Sequence, residues 1–200
     1  MQLRERKPKV EPLDKVKGGK IAKAKKATKV TKVTKGSAKS EALKAASVDA
    51  SAAPATSLDL LPSITLLNQD SEPVNVLELA KKAHLLVIFV YPRANTSGCT
   101  RQAKGFRDEY EELKKLGATV VGLSADSPKA QTKFKEKQSL QYDLLCDPNR
   151  ELIGALGSKK KGNGTTRSDF IVVDGVVKEA RVGVKPEQSY EGVLQKLQDA

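Results

Sequence analysis

Histidine occurs once in the 200 residues and cysteine twice, as Cys99 and Cys146. Ligands so few and so far apart exclude a zinc site built on closely spaced nitrogen and sulfur. No aromatic side chain precedes Phe89, and no apolar stretch reaches the ~18 residues of a membrane-spanning helix. Nor does the N-terminal region hold a continuous apolar core ahead of a small-residue cleavage site, so it does not read as a secretory signal. Few cysteines and no such signal point to a reducing compartment, nuclear or alternatively cytoplasmic. Asn95 and Asn163 match glycosylation acceptors that only a secreted chain would use.

What is abundant is lysine, and it is unevenly spread. The formal net charge is +12, and residues 1–50 supply ten of those charges, with fifteen Lys/Arg against five acids. Within "KGGKIAKAKKATKVTKVTKGSAKS" (Lys17 to Ser40) the aliphatic residues stand singly among Lys, Ala, Thr, Gly and Ser. That is too little apolar surface to offset ordering entropy, so residues 1–57 are expected to form a disordered basic tail. Such a segment binds polyanions through lysine–phosphate contacts, tolerant of sequence and sensitive to salt. Lys23, Lys25, Lys26 and Lys29 are the candidate contacts to nucleic acid or to an import receptor. The alternative is a solvated linker that keeps the protein soluble. With no aromatic residue for base stacking, sequence-specific recognition is not expected.

From about Ser57 the texture changes. "SITLLNQDSEPVNVLEL" reads as strand-like pieces around the turn Asn68-Gln69-Asp70-Ser71, and "HLLVIFVYP" as a strand buried on both faces. Cys99 to Leu116 is helical in pattern and stopped by Gly117. "ATVVGLSA" predicts a second buried strand, and Ser127-Pro128 opens another helix as cap and first-turn proline. A short strand "YDLLC", a helix near "PNRELIGALG", a hairpin turned at Asp174-Gly175 and a closing helix "PEQSYEGVLQKLQDA" complete the chain. This order implies an α/β domain over residues 58–200, a mixed β-sheet with helices on both faces in a thioredoxin-like arrangement.

Cys99 stands where a buried strand has ended and a helix begins, so free backbone N–H groups converge on it. Those dipoles favour thiolate over thiol, and at helix starts near cations thiol pKa values fall to ~3.5–7.5. Gly98 allows close backbone approach, and the Thr96 hydroxyl offers a donor to an incoming oxygen. The competing reading is a buried, inert cysteine.

The segment "YPRANTSGCTRQAKGFRDEY" resembles the active-site segment of peroxiredoxins of the bacterioferritin-comigratory/PrxQ type. The family pattern Pro-x-x-x-Thr-x-x-Cys is met by Pro92, Thr96 and Cys99, and the subfamily continuation by Gln102-Ala103 and Gly105-Phe106-Arg107-Asp108. "GLSADS", "LLCDPNRELIGALG" and "TRSDFIVVDG" resemble later family segments, so the likeness covers about residues 58–200. A basic extension on this domain resembles the fungal nuclear thiol peroxidases.

The resemblance implies reduction of hydrogen peroxide and organic hydroperoxides by the Cys99 thiolate, leaving a sulfenic acid, with no metal or organic cofactor. It assigns Thr96 and the Cys99 N–H to holding the peroxide, Pro92 to shielding the sulfur, and Arg167 to stabilising thiolate and developing charge. Thioredoxin or another external thiol is the implied reductant, and a monomer or weak dimer the expected state.

Most members of this subfamily carry a second, resolving cysteine where "QAKGF" here has Lys104. Two routes remain: a one-cysteine enzyme resolved by an external thiol, or resolution by Cys146. Cys146 follows the apolar strand "YDLLC", which also suits a buried core-edge residue, so the one-cysteine route or an intermolecular disulfide is favoured. Lys104 lies about 140° around a helix from Cys99, which argues against direct contact. A domain without its resolving thiol would alternatively serve as a peroxide sensor or a chromatin-associated redox module. "GSKKKGNGTT" lacks the Gly-Lys-Ser/Thr ending of a phosphate loop and reads as a flexible basic loop. His84, at the entry to a buried strand, reads as structural.

Overall fold

The computed structural model describes residues 60–200. The expected tail, residues 1–57 with Lys23, Lys25, Lys26 and Lys29, lies outside the described residues. The elements in chain order are β1 (Thr65–Asn68), β2 (Pro73–Asn75), α1 (Val76–Ala83), β3 (Leu85–Val90), α2 (Ser97–Asp108) and α3 (Tyr110–Lys115). They continue with β4 (Ala118–Ser124), α4 (Pro128–Gln138), β5 (Asp143–Cys146), α5 (Glu151–Ala155), β6 (Ser168–Val173), β7 (Val176–Val182) and α6 (Pro186–Gln198). One sheet takes the order β2-β1-β5-β4-β3-β6-β7. β3 runs parallel to β4 and antiparallel to β6, so the sheet is mixed, as the sequence implies.

β3 is the central ruler. Its alternation sends Leu86, Ile88 and Val90 into one apolar layer and Val87 and Phe89 into the other. The first layer is closed by Leu77 and Ala80 of α1 and Leu152 and Ile153 of α5. The second is closed by Ala103 and Phe106 of α2, Phe134 of α4 and Val193 of α6. Helices therefore cover both faces. Phe89 and Phe106 stack with ring centroids 4.5 Å apart, which pins α2 on β3 and contributes about 1 kcal/mol beyond the area buried.

Three local readings change. "VLEL" is the first turn of a helix rather than a strand-like piece, because Asn75 Oδ1 accepts the Glu78 N–H at 3.1 Å and starts α1. The helix expected over Cys99 to Leu116 begins two residues earlier, at Ser97, and breaks at Glu109 into α2 and α3. The basic loop is a tight hairpin: Lys159 bridges Thr165, and the Lys160 N–H donates to the Gly164 carbonyl at 3.0 Å. Ser127 occupies the cap position of α4 with Pro128 in the first turn, but its side chain makes no capping bond. Gly117 at φ 79° ends the second helix segment, and Asp174 and Gly175, at φ 51° and 83°, make the hairpin turn as expected. Among the described residues no helix is long and apolar enough to cross a membrane.

Candidate active site

The loop that leaves β3 is held at both ends. The Tyr91 N–H donates to the Leu123 carbonyl at 3.1 Å, continuing the sheet by one residue. The Ala94 N–H then donates to Asp126 Oδ2 at 2.7 Å, and the same oxygen accepts Ser124 Oγ–H at 2.9 Å. Asn95 takes φ 60°, a conformation asparagine tolerates, and turns the chain into α2. Thr96 is the extended N-cap, its carbonyl accepting the Thr100 N–H at 2.8 Å.

Cys99 is the third residue of α2 and is 1% exposed. Arg167, in the segment before β6, brings Nη2 to 3.5 Å from Cys99 Sγ. Its Nη1 donates to Gln102 Oε1 at 2.5 Å, and Gln102 Nε2 donates to Ser189 Oγ of α6 at 2.9 Å. The approach depends on Gly98, since a Cβ there would lie 3.1 Å from Arg167 Nη2 and 3.6 Å from Pro186 Cγ. An Arg101–Glu187 ion pair at 3.2 Å closes the outer side of the same helix pair. The sulfur thus meets the amide end of α2 on one side and a guanidinium on the other, both supplying positive potential.

The other sequence-selected residues divide. Thr96 is exposed, and its hydroxyl donates to the Arg93 carbonyl at 3.0 Å, so engaging a peroxide requires a change of partner. Pro92 is exposed in the loop between β3 and α2. Cys146 is 2% exposed at the end of β5, paired in register with Leu67 and Ser124, and its Sγ faces the Asn68 carbonyl at 3.8 Å. Burial, reinforced by the Asp126 charge, pushes its thiol up to about 11. β4 lies between β5 and β3, and Cys99 stands on α2, beyond the end of β3. Both thiols are free. Lys104 is exposed, on the opposite side of α2 from the buried Cys99. His84 pairs with Asp174 at 2.8 Å at the far end of β3, out of reach of the sulfur.

Sequence reasoning gave no role to Gln102, Ser189 or Asp126. Gln102 had a legible signal: it recurs three residues after Cys99 and four before Phe106, a polar side chain on the buried face of an amphipathic helix. Ser189 and Asp126 had none, because their partners are distant in the chain.

A cysteine without a neighbouring base cannot run acyl transfer of the cysteine-protease kind. A sulfur set between helix amides and a guanidinium is instead equipped to attack a small oxidant and hold the charge that develops, which is the chemistry of thioredoxin-fold thiol peroxidases. Comparison with known proteins agrees. Residues 58–180 match the AhpC/TSA family. Peroxiredoxin bcp1 of Schizosaccharomyces pombe is 40% identical over 147 residues, 71% of this chain and 74% of its own. Peroxiredoxin Bcp of Escherichia coli is 34% identical over 149 residues, covering 70% and 94%. Among solved structures, Xanthomonas campestris peroxiredoxin Q superposes with a TM-score of 0.66 at 29% identity, over 71% of this chain and 96% of that one. The chain belongs to the AhpC/TSA family, among peroxiredoxins of the Bcp/PrxQ type, and is a thiol peroxidase.

Proposed function

We propose that Cys99 is the peroxidatic residue of a one-cysteine enzyme whose sulfenic acid is resolved by an external thiol. The thiolate attacks the terminal oxygen of a hydroperoxide. A sulfur–oxygen bond forms, the O–O bond breaks, and the leaving oxygen departs as water or an alcohol after taking a proton. Arg167 faces both the sulfur and the charge spreading along the O–O axis, while Gln102 holds the guanidinium in place. Thr96 and the first amides of α2 receive the peroxide oxygens, and Pro92 limits water at the mouth. A thiol of thioredoxin type then displaces water from the sulfenic acid, and its partner thiol releases Cys99 as the reductant becomes a disulfide.

The observation that carries this reading is the Arg167 Nη2–Cys99 Sγ contact at 3.5 Å, on a buried sulfur that is free, as is Cys146. The lysine-rich tail supports a nuclear site of action with loose polyanion contact. The test is peroxide consumption under thioredoxin and thioredoxin reductase, with Cys99→Ser and Cys146→Ser beside the wild type. Loss in Cys99→Ser alone is expected. Loss in Cys146→Ser as well would transfer resolution to Cys146, and a single oxidation without turnover would favour the sensor.

A further inference from the structure

The loop that carries Pro92 and Thr96 has little burial of its own. Pro92, Arg93, Asn95 and Thr96 are exposed, and of residues 92–96 only Ala94 is buried. What draws Ala94 inward is a ring of hydrogen bonds beneath the loop. The Tyr91 hydroxyl donates to Gln131 Oε1, which leaves the nitrogen end of that amide to donate onward. Gln131 Nε2 gives its hydrogens to Ser124 Oγ at 2.8 Å and to the Leu145 carbonyl at 3.3 Å. Ser124 Oγ also accepts the Asp126 N–H at 3.1 Å, so its own proton goes to Asp126 Oδ2 at 2.9 Å. The same Oδ2 takes the Ala94 N–H at 2.7 Å, and the ring closes three residues after it began.

The ring is seated in the rigid part of the fold. Tyr91, Gln131 and Ser124 are fully buried, Ser124 ends β4, and Gln131 belongs to α4. Among the described residues no other hydrogen bond ties residues 92–96 to a distant segment. A single carboxylate oxygen therefore sets where this loop stands over the sulfur.

We propose that Asp126 is a positioning residue for the Cys99 reaction: by holding the Ala94 N–H it sets where Thr96 and the opening amides of α2 meet the peroxide oxygens. This role rests on the reading of Cys99 as the peroxidatic residue. Thr96 is the N-cap two residues after Ala94, and its hydroxyl rests on the Arg93 carbonyl, so a shift of Ala94 disturbs both ends of that contact. Cys99 is held by other means, the packing of α2 on β3 and the Arg167 guanidinium. Asp126 thus governs the grip on the peroxide and leaves the thiolate alone.

The test compares wild type, Asp126→Ala and Asp126→Asn in the full chain. Asp126→Ala leaves the Ala94 N–H and the Ser124 proton without an acceptor. Asp126→Asn removes the charge but keeps an acceptor in the same place, its NH2 taking the position of Oδ1, which makes no hydrogen bond to the described residues. Each protein is measured by stopped-flow reaction with hydrogen peroxide, by iodoacetamide alkylation of Cys99, by amide hydrogen exchange and by thermal melting. Asp126→Ala should react about ten- to hundredfold more slowly with peroxide, the scale of one hydrogen bond to a charged group and of a displacement of about 1 Å. Its alkylation should stay within about twofold of wild type, and Asp126→Asn should return the peroxide rate to within about threefold. The Ala94 amide should exchange more slowly than those of Arg93 and Asn95 in wild type and Asp126→Asn, and lose that protection in Asp126→Ala. An unchanged peroxide rate in Asp126→Ala, a fall shared equally by alkylation, or no recovery in Asp126→Asn would overturn the proposal. An unprotected Ala94 amide in the wild type would do so even if Asp126→Ala failed to fold. A wild type alkylated at Cys99 yet inert to peroxide would sink the peroxidase reading and this role with it, whereas a reactive wild type with indifferent variants would sink the role alone.

Discussion

Replacing Gly98 with alanine should damage chemistry and spare the fold. Gly98 is the second residue of α2, where alanine is at least as good a helix former, by up to about 1 kcal/mol in a helix interior. The added methyl would stand 3.1 Å from Arg167 Nη2, so the guanidinium has to give way by a few tenths of an ångström. It now sits 3.5 Å from the sulfur. At an effective dielectric of about 20, withdrawal by about 0.5 Å costs roughly 0.6 kcal/mol of attraction to a thiolate. Loss of the directed N–H···S contact adds about 1 kcal/mol, which together predict a fall of about 10- to 20-fold in the second-order rate with peroxide. The assay is stopped-flow oxidation of the reduced protein, read beside thermal melting. The effect should also be far from additive with Arg167→Ala, since both remove one contact. An unchanged rate in Gly98→Ala, or full additivity, would refute the placement of Arg167 on Cys99.

Cys146, pushed up to about 11 by burial, should resist iodoacetamide in the native protein at pH 8 while Cys99 is alkylated, and should react only on unfolding; peptide mapping reads both sites. Asp169 should contribute to the pH dependence of stability with a sign opposite to that of an ordinary paired carboxylate. Its folded value, about 6, lies above the usual 3.8, so its contribution is complete below pH 3.8 and is lost as pH rises through 6. Melting temperatures of Asp169→Asn minus wild type should therefore climb across that window. Exchanging Lys23, Lys25, Lys26 and Lys29 for glutamate should weaken binding to duplex DNA and flatten its log–log salt slope by about 3 to 4, with the peroxide rate unchanged.

Much of the site was legible because it is local. Strand end, glycine, cysteine and helix start follow one another within "YPRANTSGCT", so period and punctuation place Cys99 without tertiary knowledge. The hairpin at Asp174-Gly175 is legible for the same reason, its two residues suiting the positive φ they adopt. α1 was missed because "VNVLEL" is rich in branched residues, while its deciding feature is a single Asn75 cap three residues ahead of Glu78. The break at Glu109 carries no glycine or proline to announce it. Gln102, Ser189, Asp169 and Arg181 form one network from α2, α6, β6 and β7, and only the sheet order brings those segments together. Cys146 shows the limit from the other side: its burial reads from the strand pattern, but its pairing beside Leu67 and Ser124 follows only from the placement of β5 between β1 and β4.

The most direct measurement is the fate of Cys99 after one equivalent of hydrogen peroxide, followed by trapping with a sulfenic-acid-specific carbon nucleophile and peptide mass mapping. The account predicts one trapped sulfenic acid, on Cys99, with Cys146 still a free thiol and no disulfide between them. Oxidation at Cys146 in place of Cys99, or a Cys99–Cys146 disulfide formed ahead of trapping, would contradict it.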